Sequence, residues 1–198
     1  MLKLAEGYKV TRNAELHEGY MQLSETNYLA NVDVDKTEEV IYHFLKMNKD
    51  KQLFFILELP ANSEREKTFD SDNLHKDVYY IDLLTFDECA SLVEHFGELL
   101  INDGISEFGF GCFEDFDEIM IKKYNGVSIY SRNLSNYEGF FEKHNINKEK
   151  DILTAWETFS EKTPGEAFRI EVDGITVFDI PELLKDWGIY LAETVEDV

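Results

Sequence analysis

The chain is 198 residues long, which fits one domain, and 43% of it is apolar with 15 Phe and 10 Tyr, which excludes wholesale disorder. Asp and Glu number 41 against 19 Lys and Arg, a formal net charge of −22. A surface this negative repels phosphate backbones and anionic lipid heads, so neither nucleic acid nor membrane is an expected partner.

Taken in chain order, the opening MLKLAEGYKV has no apolar run of the signal-peptide kind, and no stretch approaches membrane-spanning length. A cytoplasmic place is therefore expected. Residues 15 to 34 read as two strands around Ser24-Glu25-Thr26. Asp35 stands three residues before Glu38, the spacing of a reciprocal helix cap, and Val40, Ile41, Phe44 and Leu45 follow at helical spacing. Residues 53–59 (LFFILEL) and 78–84 (VYYIDLL) read as buried strands. The polar stretch 61–77 between them reads as a long exposed loop.

A second cap, Thr85 with Glu88, opens the stripe Cys89, Leu92, Val93, Phe96, Leu99 and Leu100. Asn102-Asp103-Gly104 ends it, with Gly104 suited to a left-handed closing residue. Residues 106–131 read as a meander of three strands. Phe108, Phe110 and Cys112 alternate with Gly109 and Gly111, a tight acidic corner follows, and Asn125-Gly126 offers a two-residue hairpin turn before Val127. Ser135 with Glu138 marks another helix start, and residues 148–159 have the spacing of a helix burying Ile152, Trp156 and Phe159. Asp173-Gly174 signals a second hairpin. Asp179 with Glu182, and Pro181 in the first turn, open a last helix through Leu183, Leu184, Trp187 and Leu191. Hairpins mixed with helices predict an α+β fold. Its mixed, mainly antiparallel sheet would pack against about four to five helices, and residues 1–198 would form a single domain.

No constellation carries chemistry strongly. Cys89 and His95 share a helix but are six residues apart, so they diverge by roughly 120° around its axis, with Cys89 on the apolar stripe. Cys112 shares a strand face with Phe108 and Phe110, the usual surroundings of an inert thiol. His17, His43, His75, His95 and His144 show no metal-ligand spacing. Asp70, Asp72 and Asn73 begin like a calcium loop, but His75 stands where that loop needs Gly. The run from Phe108 to Phe113 has the glycine density of a phosphate loop, yet it leads into acids rather than a helix. No catalytic residue, cofactor or metal is expected.

The remaining candidate is the corner Glu114, Asp115, Phe116, Asp117 and Glu118, four carboxylates around one aromatic ring. A plain reading makes it a solvated turn that blocks strand pairing. The functional reading makes it a contact surface for a basic protein partner, with the carboxylates steering encounter and Phe116 as anchor. In this profile the chain is similar in kind to bacterial immunity or antitoxin proteins, which neutralise basic toxins by charge complementarity. The resemblance is one of composition and rests on no motif. An enzyme whose site assembles from distant residues, or a small-ligand or regulatory binding module, are the alternatives. A concave pocket with converging perturbed groups would favour the first of these.

Overall fold

The computed structural model describes residues 1–61 and 74–196. Its architecture is α+β, organised on a large antiparallel sheet. The strands are β1 (Tyr8–Lys9), β2 (Gly19–Ser24), β3 (Asn27–Asn31), β4 (Leu53–Pro60), β5 (His75–Leu84), β6 (Glu107–Cys112), β7 (Asp117–Lys122), β8 (Gly126–Tyr130), β9 (Glu166–Ala167) and β10 (Tyr190–Glu196). Eight of them run in the order β10-β5-β4-β6-β7-β8-β3-β2, every adjacent pair antiparallel. β1 and β9 form a separate two-stranded ribbon. Two long helices, α1 (Val34–Met47) and α2 (Phe86–Asn102), a short α3 (Ile180–Leu183) and several 3-10 turns complete the described residues.

Alternation along the strands sorts the sheet into two unlike faces. One carries Leu53, Phe55, Leu57, Ile81, Phe108, Phe110, Cys112, Ile119, Ile121, Val127 and Ile129. Both long helices pack on that face, through Val40, Ile41, Phe44 and Leu45 of α1 and Cys89, Leu92, Val93 and Leu99 of α2, and so enclose the main core. Among the described residues, the other face holds a small cluster, Phe54, Ile56, Val78 and Met120, flanked by Tyr80 and Val195. None of the described helices is long and apolar enough to cross a membrane.

Local chemistry explains where the elements begin. Thr85 and Glu88 form the reciprocal cap of α2: Thr85 Oγ1 accepts from the Glu88 amide and Glu88 Oε2 from the Thr85 amide. α1 begins one residue before Asp35. Asp33 is its cap residue, and the Asp33 carboxylate accepts instead from the Lys3 amide at 2.7 Å, tying down the N-terminal segment. Gly104 does follow α2, but its use is close approach: a Cβ there would stand 2.1 Å from the Gly7 carbonyl oxygen.

Several segments depart from the spacing of their sequence. β5 begins at His75, so His75 and Asp77 are buried strand residues and not the end of a loop. The rest of that expected loop, with Asp70, Asp72 and Asn73, lies outside the described residues apart from Ala61 and Leu74. The reversal after β7 sits one residue earlier than Asn125-Gly126 implies. Tyr124 and Asn125 take positive φ (59° and 62°), while Gly126 opens β8 at φ −69°. Asp173 and Gly174 do form a tight turn with φ of 52° and 79°, closed by Val172 and Ile175, but the flanking residues form only an isolated bridge. Residues 148–159 hold a 3-10 turn at Trp156–Thr158 in place of a helix, and Trp156 is 57% exposed. Residues 134–137 likewise close into a 3-10 turn, and Leu191 belongs to β10 rather than to a last helix.

Candidate functional site

The acidic corner is the connection between β6 and β7, and the structure divides its residues between two environments. Asp117 opens β7 on the core side of the sheet and is 2% exposed. It belongs to a polar chain under the corner. Cys112 Sγ and the Lys51 ammonium donate to Asn48 Oδ1 at 3.8 and 2.7 Å. Asn48 Nδ2 donates to the Tyr137 hydroxyl at 3.1 Å, and that hydroxyl donates to Asp117 Oδ2 at 2.8 Å. Asp115 ion-pairs with Lys51, whose nitrogen also lies 4.0 Å from Asp117 Oδ2. Burial works against the Lys51 charge, but Asp115 and Asp117 outweigh it and hold its pKa above the ordinary value. Donor atoms of Cys112, Asp115 and Asp117 lie within 4.8 Å of one another, a spacing that suits a cation. The cation seated there is the chain's own lysine.

Phe116 points away from this network. Its ring is 49% exposed and carries the Arg132 guanidinium carbon 3.5 Å from its centroid. The backbone at Phe116 has φ 58°, a left-handed conformation that non-glycine residues adopt only at a cost of about 1–2 kcal/mol. Glu114 is exposed, and Glu118 lies on the opposite sheet face from Asp117, partly buried.

Sequence reasoning missed the surface that Glu118 joins. Phe54, Tyr80, Phe113, Phe116, Tyr130 and Tyr190 line a groove of about 450 Å³ on the sheet face opposite the helices, with Asp82 and Glu118 among its polar walls. The register builds it: Tyr190 stands opposite Tyr80, Phe54 opposite Gly111, Gly111 opposite Glu118, and Glu118 opposite Tyr130. Gly111 leaves the room, since a Cβ there would fall 2.2 Å from Cζ of Phe54. The rings meet in sequence across the strands, with Phe54 and Phe113 centroids 4.9 Å apart, Phe54 and Tyr80 5.8 Å, and Tyr80 and Tyr190 6.4 Å. Phe113, Phe116, Tyr130 and Tyr190 remain between 39% and 49% exposed.

The groove is electronegative as well as aromatic. Burial and then the nearby Glu58 raise the Glu118 pKa against an opposing pull from Lys122, and the Glu118 carboxylate makes no hydrogen bond or ion pair among the described residues. Burial and then Glu118, Glu58 and Glu193 raise the Tyr80 phenol. Asp82 accepts a hydrogen bond from the Tyr190 hydroxyl at 2.7 Å. On the core side, away from the groove, Asp117 Oδ1 is buried with no hydrogen-bond partner among the described residues.

A second feature joins residues 101 positions apart. His43 Nδ1 lies 2.8 Å from His144 Nε2, and His144 Nδ1 lies 3.5 Å from Glu39 Oε1. The His43 ring stacks on Phe140 at 4.3 Å. Burial, then the His144 imidazole, push His43 down to about 4. By contrast Cys89 and His95 are not brought together. Cys89 is fully buried, and that burial pushes its thiol up to about 12, while His95 is exposed and bonds the Ser91 carbonyl.

The class this geometry defines is an α+β protein with one sheet face covered by helices and the other largely open among the described residues. Comparison with known protein families, with curated proteins and with solved structures returns no match for the chain.

Proposed function

We propose that the chain is an acidic protein-interaction module that docks a basic protein partner on the open face of its sheet, in the manner of an immunity or antitoxin protein. The observation that carries this reading is the groove. Four aromatic residues exposed among the described residues are a surface that binding would bury, and aromatic side chains dominate such contacts. Carboxylates line the same groove, and the net charge of −22 speeds the approach of a cationic partner and opposes nucleic acid and anionic lipid. The reading needs neither cofactor nor metal, and it suits a reducing, cytoplasmic setting in which two free thiols persist.

One observation favours an enzyme instead, namely the His43–His144 pair in a hollow of about 620 Å³ lined also by Asp35, Glu38, Tyr42 and Lys143. Two imidazoles acting as acid and base need the substrate between them. At 2.8 Å they are bonded to each other, with no room for one. The docking reading is the stronger.

Capture from a lysate by the native protein and by a Phe113→Ala/Tyr190→Ala double variant tests it. The expected result is a polypeptide of basic isoelectric point that native protein retains, salt releases, and the variant fails to retain. Equal retention by both proteins would count against the groove.

A further inference from the structure

Resting on the docking reading, we propose that the groove is selective for arginine over lysine, taking a partner's guanidinium flat against its aromatic rings with carboxylates at its edge. The chain displays this chemistry at the groove itself. Arg132 lies 3.5 Å above the centroid of Phe116, one of the lining rings, on a part of the surface where both residues are exposed. A guanidinium is planar and weakly hydrated, so it stacks on a ring face while its N–H groups bond carboxylates in pairs. An ammonium is a compact, strongly hydrated charge that favours a cradle of oxygens.

Two cations that contact the corner are sorted in just this way. Lys51 sits in the oxygen cradle of Asn48, Asp115 and Asp117 on the core side. Arg132 sits on an aromatic ring on the groove side. What remains open in the groove is of the second kind. The rings of Phe54, Phe113, Tyr80 and Tyr190 form a continuous wall, and the carboxylates within reach are Glu118, which has no ion-pair partner among the described residues, and Asp82, whose bond from Tyr190 leaves acceptor capacity. Aromatic faces flanked by carboxylates match the two binding modes of a guanidinium at once. An ammonium can lie over a ring and meet a carboxylate, but it neither stacks flat nor bonds in a fork, and its tighter hydration opposes both contacts.

The experiment uses the full chain with two fluorescent probes, hexa-arginine and hexa-lysine, equal in charge and length, and reads affinity by anisotropy at physiological salt. The expected result is tighter binding of hexa-arginine by about tenfold, the effect of one added well-formed contact. Phe113→Ala and Tyr190→Ala should abolish that preference, and Glu118→Gln should weaken hexa-arginine more than hexa-lysine. Phe113 and Tyr190 are exposed, and a thermal melt confirms that each variant is folded. Equal affinity for the two probes, weakened alike by the ring variants, would overturn arginine selectivity and leave the docking reading standing. An arginine preference untouched by all three variants, or no binding of either probe, would overturn both.

Discussion

At position 116 the backbone needs a left-handed conformation, for which glycine is the least costly residue, yet a phenylalanine stands there with its ring half exposed. An aromatic kept at a strained, exposed position contributes little to the core, and backbone strain of this kind clusters at binding sites. Among the described residues the strain is compensated by the Arg132 contact, worth about 0.5–1 kcal/mol at an exposed site. Relief of the left-handed conformation is worth about 1–2 kcal/mol. Phe116→Gly should therefore leave the melting temperature unchanged or slightly raised, while it slows nothing in encounter and speeds release of a bound partner. A fall in stability of about 3 kcal/mol or more, the size of losing a buried aromatic, would show that Phe116 is a structural residue.

Among the elements, the β4–β6–β7 strip does most to shape the groove, and Gly111 is its narrowest point. A methyl group at Gly111 would meet the Phe54 ring at 2.2 Å and the Asp117 carbonyl oxygen at 2.8 Å, so Gly111→Ala forces the ring out of its seat. Overpacking of this sort costs roughly 1–3 kcal/mol, and a denaturant midpoint well below the parent's is the expected outcome. An unchanged midpoint would mean that Phe54 has other space to occupy. The strands of this strip were legible in the sequence because apolar runs and glycine alternation are local signals. So was α2, through its Thr85–Glu88 cap. The 148–159 segment was not, since its polar groups answer to distant partners. Tyr20 pairs with Lys148, the Asn31 amide donates to the Leu153 carbonyl at 2.8 Å, and Trp156 and Phe159 pack edge-on against Tyr124. Of the site, the acidic corner could be read because its charges are contiguous. The aromatic wall could not, because Phe54, Tyr80, Tyr130 and Tyr190 converge only once the strand order is known. The parity of Phe54, Ile56 and Glu58, and of Val78, Tyr80 and Asp82, was the available signal for a half-polar second face.

For the molecule as a whole, the balance of charge is set by acids, but the sharpest pH response belongs to the histidine pair. Burial, the other imidazole and the neighbouring Lys143 and Lys46 hold His43 near 4, and burial likewise lowers His144, with Glu39 opposing and Lys36 adding to the shift. The folded protein thus binds fewer protons here than the unfolded chain, whose histidines titrate near 6.5. The pair's contribution to stability is complete above that value and is lost progressively as pH falls from 6.5 toward 4. His43→Gln should flatten the decline of the urea midpoint over that window, and an identical decline in parent and variant would contradict the assignment.

The central claim is that the open sheet face, rather than the helical side, is where this protein meets its partner. Hydrogen–deuterium exchange on the complex with the captured basic protein tests that most directly. The account predicts slowed exchange at the β6–β7 corner, at the end of β8 around Tyr130 and at the start of β10 around Tyr190, with α1 and α2 unchanged. Protection along the outer surfaces of α1 and α2, with the corner and both strand ends exchanging as in the free protein, would contradict it.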